Sequence, residues 1–454
     1  MKKILCMGLR LDHHTTFIRE LDTHFQLIYF SDAKFDSLKL KHAISVESLI
    51  GDRDKNLDPM KWTREIAEFY ARLTYRLQSL KSGTFPHIED HLFQVFEHLS
   101  KSCMVLDQCF NALCEAVELD LLLTNAEYHY AQRPAVINAK KRGIPVFNIE
   151  HGYSAAQPSP KAFRPGYWPS PGMLHIGDVL CVDNRLEEEN LLAHEFDREI
   201  PHWKNKQVLP LGTPMDSSDA PPKSKTECFS TLGLAPGIKT VVVAPTWFGP
   251  SYPGYIQDKL GEIQFYQSMF RFIAQHQKAE RIQVLIKAHP AYADNRVYPD
   301  WKNGIQHIAY KANMKNLTVH QNFLPEALEV ADLVVTNSIS SVIWDSSRRG
   351  IPTMICMGGV EKNFYRGDAF NPHPLYRGGI IHVATTEAQM EEKFASLLRE
   401  DTQRNIKRAA TRILKEYQIS NRRALEKSQA ISAWLMDFLG ANHGQTVDCQ
   451  REAS

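Results

Sequence analysis

Short aliphatic and β-branched runs recur along this chain, each bounded by Gly, Pro, Asn or Ser and followed by a segment whose apolar residues return every three or four positions. KKILCMG, QLIYFS, LDLLLTN, IPVFNIE, DVLCVDN and VLPLG are such runs in the first half, and KTVVVAPTW, RIQVLIKAHP, LTVHQ, DLVVT, PTMICMG and GIIHVAT in the second. They are too short for helices and show no clean alternation, the pattern of strands buried on both faces of a parallel sheet. HTTFIRELDTHF, AVINAKKRG, RLEEENLLAHEF and the stretch 258–276 read as the helices between them. The pattern predicts an α/β protein with two Rossmann-like β/α domains facing each other across a cleft.

The pattern changes in four places. From about Pro59 to Leu119 apolar residues recur at three and four through WTREIAEFYARLTYRL and HLFQVFEHLSKSCMVLDQCFNALCEAV, predicting a helical insert (59–119) in the first domain (1–215). PSPKAFRPGYWPSPG, within 157–172, holds neither helix nor sheet, and loops of that length in a compact domain carry function or are disordered. MDSSDAPPKSK reads as an interdomain linker over 216–237, leading to a second domain at 238–400. Helices follow over 401–439, then a polar, flexible tail at 440–454.

The 454 residues fit two domains of roughly 200 residues each better than one core. Lys and Arg (53) almost cancel Asp and Glu (52), leaving no global charge to draw the chain to nucleic acid. The eight cysteines lack a C-x-x-C spacing and read as reduced, mostly buried thiols of a cytoplasmic protein. MKKILCMGLR has too short an apolar run for a signal peptide, and no stretch approaches the ~18 apolar residues of a membrane span. Charge does concentrate locally. Arg404, Lys407, Arg408, Arg412, Lys415, Arg422, Arg423 and Lys427 read as one basic helix, 404–427, either solvated or in peripheral contact with an anionic membrane face.

DLVVTNSISSVIWDSSRRGIP, from Asp332 to Pro352, combines strand, polar turn, helix and strand. A turn of this kind lies at the carboxyl edge of a parallel sheet, where the next helix aims free N–H groups and about half a positive charge at a ligand. The hydroxyls of Ser338, Ser340 and Ser341 add donors suited to phosphate oxygens, against the simpler reading that they cap the helix. Lys287 and His289 end a strand expected at the same edge, and Pro290 turns the chain away. In the first domain Glu150 and His151 end a strand just before Gly152. Either can serve as general base toward a hydroxyl, and alternation turns only one of them to the cleft. Thr246 and Trp247 offer a hydroxyl and an apolar wall, Gly212 a hinge, and Asp345 a support for the serine turn or its helix. G-x-x-x-x-G-K-[ST], G-x-G-x-x-G and D-x-D motifs are absent. That argues against a P-loop enzyme, a standard dinucleotide dehydrogenase and a metal-templated site, so no metal or cofactor is expected. His, Lys, hydroxyls and helix ends would carry the phosphate charge.

The ordered set His151-Gly152, Gly212-Thr213-Pro214-Met215-Asp216, Ala244-Pro245-Thr246-Trp247, His289-Pro290 and Ser340-Ser341-Val342 with Asp345 resembles the CDP-glycerol glycerophosphotransferases and the bacterial capsule (polysialyl or Kdo) transferases. Those families share the GT-B glycosyltransferase fold, and the resemblance spans about 120–360. It implies a metal-independent transferase acting between a nucleotide-activated donor and a polysaccharide or lipid-linked saccharide hydroxyl. His151 would be the base, with His289, Ser340 and Ser341 on the donor phosphate. CMP- or CDP-linked donors are favoured and UDP-linked ones remain open. Ser338-Ile339 stand where the glycerophosphotransferases usually carry an aspartate and an aromatic, and Phe248 where they tend to have Arg. Two alternatives fit the same plan: a sugar-nucleotide epimerase and a non-catalytic anionic-glycan-binding module.

Overall fold

The computed structural model describes residues 1–9, 11–30, 33–50, 106–125, 132–150, 176–192, 206–214, 223–245, 255–278, 281–289, 301–321, 324–357, 373–417 and 423–441. Strands β1 (Lys3–Met7), β2 (Gln26–Tyr29), β3 (Ala43–Ser45), β4 (Leu121–Thr124), β5 (Val146–Ile149), β6 (Val179–Cys181) and β7 (Gln207–Leu209) form one sheet, ordered β3-β2-β1-β4-β5-β6-β7. Strands β8 (Lys239–Val243), β9 (Ile282–Lys287), β10 (Leu317–His320), β11 (Leu333–Thr336), β12 (Thr353–Cys356) and β13 (Ile381–Ala384) form a second, ordered β10-β9-β8-β11-β12-β13. Every adjacent pair is parallel. The two-domain β/α architecture expected from the pattern is therefore the one present.

Each sheet winds outward from its first strand, then returns to that strand's other side. The reversals fall between β1 and β4 and between β8 and β11. At such a reversal the flanking connections leave in opposite directions and open a crevice at the carboxyl ends, where ligands of this architecture bind.

The first sheet is sealed on both faces, as its unbroken apolar strands require. Ile4, Cys6, Leu121, Leu123, Phe147 and Ile149 share one core with Phe17, Ile18 and Leu21 of the helix Leu11–His24. Leu5, Met7, Leu122 and Val146 turn to the opposite core, against Phe110, Leu113, Val136 and Ala139. Phe110 and Leu113 belong to a helical stretch, 106–116, the described end of the insert expected at 59–119. β3 was not legible: AIS is three residues long and runs straight into the helix Val46–Ile50.

Two segments lie elsewhere than the sequence suggests. Inside the stretch expected as linker, Lys225–Leu232 is a helix with a full capping box at Ser224 and Glu227. Its Cys228, Phe229 and Leu232 join the second domain's core, so the polar composition before it concealed an apolar face. The basic stretch 404–427 is not one helix but parts of two, Glu400–Glu416 and Ala424–Ala441. The first buries Ile406, Ala410 and Ile413 in the second domain. The last returns to the first domain, placing Ile431, Leu435 and Leu439 in the core of β1, β4 and β5 and Trp434 beside Phe147 at a centroid separation of 5.4 Å. Among the described residues no helix is long and apolar enough to cross a membrane.

Candidate functional site

The serine turn sits beside the second sheet's reversal. β11 is flanked by β8 and β12, with the Ala244 amide donating to the Val335 carbonyl at 2.8 Å. After β11 the Thr336 hydroxyl donates to the Ser338 carbonyl (3.1 Å) and closes the turn, with Asn337, Ser338 and Ile339 buried. Ser340 takes an extended backbone (φ −146°, ψ 166°) at the N-cap of the helix Ser341–Arg348. A serine there ordinarily accepts a hydrogen bond from a first-turn amide. Ser340 does not, and among the described residues its buried hydroxyl has no hydrogen-bond partner. Ser341 is exposed as the first helical residue. The capping explanation thus fails at the position where it should apply.

Lys287 and His289 reach the same edge on β9, with β8 between them and β11. Two strand spacings put these ends roughly 10 Å apart, a gap for a ligand rather than for a direct contact. His289 is half-buried, whereas Lys287 is not the open cation that the sequence suggests. Only 8% exposed, it turns its ammonium to the Ala288 carbonyl at 2.7 Å, and burial lowers its pKa to about 8.

On the first domain Glu150 ends β5 with 1% exposure, its amide donating to the Cys181 carbonyl at 2.8 Å. In this conformation its carboxylate is not presented to an acceptor in solvent. His151, the other candidate base, lies outside the described residues, as do the 157–172 loop, Thr246 and Trp247. The first sheet's reversal carries residues the sequence reading missed. Gly8 adopts φ +71°, and a Cβ there would lie 2.0 Å from the Gln132 amide nitrogen and 2.8 Å from Asn125 Oδ1. Thr124 donates its hydroxyl to Gln132.

Asp183, just beyond β6, was also missed. Its Oδ1 accepts from Lys427 Nζ at 2.7 Å and from the Thr213 amide at 3.1 Å. Its Oδ2 accepts from Trp344 Nε1 at 3.0 Å and lies 4.0 Å from an Arg348 nitrogen. Burial alone would push this carboxyl up; the Lys427 and Arg348 charges and the hydrogen bonds outweigh it and hold the pKa at about 2. Lys427 is thereby removed from the basic surface to which the sequence assigns it, its side chain only 6% exposed. Gly212, the expected hinge, has φ +100° and lies under the Lys427 stem, where a Cβ would come within 2.8 Å. Asp345 belongs to this neighbourhood: burial raises its pKa, with Arg348, Arg349 and Lys427 acting to lower it and Asp183 to raise it. Asp183 left no sequence signal, because DVLCVDN reads only as a strand and its end.

Solved structures similar along nearly the whole chain share this architecture. A co-structure of MnaA with UDP from S. aureus aligns with a TM-score of 0.53 at 12% identity, covering 97% of each chain. UDP-GlcNAc 2-epimerase from Neisseria meningitidis, bound to UDP-GlcNAc, aligns at 0.52 and 14% identity, over 96% of this chain and 100% of that one. The glycotransferase of kitacinnamycin aligns at 0.52 and 13% identity, over 96% and 99%. These likenesses show the GT-B type of fold. No family model and no curated protein matches the sequence.

Proposed function

We propose that this protein is a metal-independent transferase that moves a glycosyl or polyol-phosphate group from a nucleotide-activated donor to an acceptor hydroxyl. The observation that carries this reading is the Ser340 hydroxyl: buried, at an N-cap it does not serve, and beside the reversal of a Rossmann-ordered sheet. The donor phosphate would lie on the Ser338-Ser340-Ser341 turn and the helix N-terminus, with His289 and Lys287 approaching from β9. Thr246 and Trp247 would wall the donor, and Asp345 would stand one turn behind the phosphate. On the first domain His151 is the base in this reading. Glu150, at 1% exposure, is too buried in this conformation to meet an acceptor hydroxyl.

The donor base is the open choice within this reading. The motif resemblance favours CMP- or CDP-linked donors and a surface-polysaccharide acceptor, whereas two of the similar structures hold UDP or UDP-GlcNAc. Of these, the UDP-GlcNAc 2-epimerase structure also supports a second reading, a sugar-nucleotide epimerase, which needs no acceptor. A thermal-shift panel of CMP, CDP, UMP, UDP, GDP and ADP on the wild type and on His289→Ala tests both. A nucleotide at ~100 times its dissociation constant should stabilise the wild type by ~2.7 kcal/mol, and the variant less. Epimerisation of the matching sugar nucleotide without an added acceptor would select the second reading. No shift with any nucleotide would overturn both and leave an anionic-glycan-binding module.

Arg404, Lys407, Arg408, Arg412 and Lys415 are exposed, on the side of the helix Glu400–Glu416 opposite buried Ile406, Ala410 and Ile413. We assign this face to peripheral contact with an anionic bilayer on the cytoplasmic side, where a lipid-linked acceptor would be met. Cosedimentation with vesicles containing phosphatidylglycerol, lost in 0.5 M salt or in Arg404→Glu/Arg408→Glu/Arg412→Glu, is expected; equal binding to neutral vesicles would refute it.

A further inference from the structure

We infer that Asp183 is a positioning residue that fixes the serine turn of the second domain relative to the strand end of the first domain that carries Glu150 and leads into His151. The inference rests on the serine turn being half of a site completed by the first domain. Its basis is a continuous set of contacts. Trp344 and Arg348 lie four residues apart on the helix whose N-terminus is the serine turn, and both face Asp183. The Thr213 amide donates to the same carboxylate at 3.1 Å, and the Thr213 hydroxyl donates to the Glu150 carbonyl at 3.2 Å. Four links therefore join the serine helix to the end of β5: indole, carboxylate, amide and hydroxyl.

The geometry suits alignment better than simple adhesion. An indole N–H is a single directional donor, so the Trp344 contact fixes an angle as well as a distance. Trp344 is 4% exposed, and it shares its acceptor with Lys427 of the terminal helix, whose ammonium also donates to the Thr213 carbonyl at 3.3 Å. The carboxylate thus gathers contacts from three segments distant in sequence: the Thr213 amide, Trp344 and Arg348 of the serine helix, and Lys427 of the helix Ala424–Ala441. Gly212 admits the Lys427 stem by lacking a side chain. A carboxylate at this junction holds the two domain edges in one register, and a substrate spanning the cleft meets both halves of the site at a fixed separation.

The test is pulsed dipolar spectroscopy on the full-length chain, with spin labels on unnatural residues replacing the exposed Lys141 and Lys311, one in each domain. Trp344→Phe keeps an aromatic ring, smaller than the indole, and removes the N–H. It is expected to broaden the interdomain distance distribution and lengthen its mean, as is Thr213→Val. Lys427→Arg, which keeps a charged donor, should restore a narrow distribution where Lys427→Met does not. An unchanged distribution in Trp344→Phe, even with a lowered melting temperature, would overturn the inference and reduce Asp183 to a stabilising contact. Asp183→Asn is a harsher variant that can fail to fold, and the Trp344 and Thr213 variants keep the inference falsifiable without it. Broadening in a protein that binds none of the nucleotides would uphold the positioning role while removing the donor-phosphate reading of the serine turn.

Discussion

Lys287 shows how far a single side chain can depart from what its type suggests. As the residue before Ala288-His289 it reads as a ready phosphate cation, yet burial leaves its ammonium on one backbone carbonyl with a pKa of about 8. An unfolded lysine titrates near 10.4, so between these values the unfolded chain binds more protons and stability rises with pH. A phosphate placed beside it would favour the charged form and raise its pKa again. Nucleotide binding at pH 8.5 should therefore take up a fraction of a proton, measured by calorimetry in two buffers of different ionisation enthalpy. Lys287→Met should abolish the uptake, and uptake unchanged in that variant would remove Lys287 from the site. Sequence located this lysine at the correct edge because strand ends follow from hydrophobic pattern. Its burial depends on neighbouring strands, which pattern does not report. Asp183 was illegible for the same reason: its partners lie 30, 161 and 244 positions away.

At the scale of elements, two serine N-caps, both with extended backbone, behave differently. Ser224, extended at φ −61° and ψ 152°, accepts from the Glu227 amide and completes a capping box, while extended Ser340 accepts from no first-turn amide. Ser224→Ala should cost about 1 kcal/mol in urea denaturation. Ser340→Ala should cost only a few tenths and instead weaken nucleotide binding, a pattern opposite to that of a cap. Equal losses of stability in both variants would return Ser340 to a structural role. The S-x-x-E of Ser224 to Glu227 was readable, but the polar run before it drew the whole stretch into the linker. The strand-turn-helix-strand around Ser340 was read correctly, since short apolar strands, a helix stop at Gly350 and a parallel return leave few other arrangements.

For the molecule as a whole, the sheets and their parallel order were legible from alternating strand and helix signals, whereas the route of the chain's end was not. The helix Ala424–Ala441 is apolar at positions that would equally suit the second domain, and only the fold shows Ile431, Leu435 and Leu439 completing the first. Leu435 is fully buried there, and Leu435→Ala should cost about 2–5 kcal/mol. Hydrogen exchange should place the loss in β1, β4 and β5 rather than in the second sheet. Greater exposure of β8, β9 and β11 instead would contradict the packing described. This closure has a consequence for synthesis. Translation at about 5–20 residues per second leaves roughly ten to forty-five seconds between the emergence of β7 and that of the terminal helix. During that time the face of the first sheet that Ile431, Leu435 and Leu439 will cover has only its earlier packing against the helix Leu11–His24, so the domain made first is finished last, and the nascent chain exposes apolar surface that the folded protein hides.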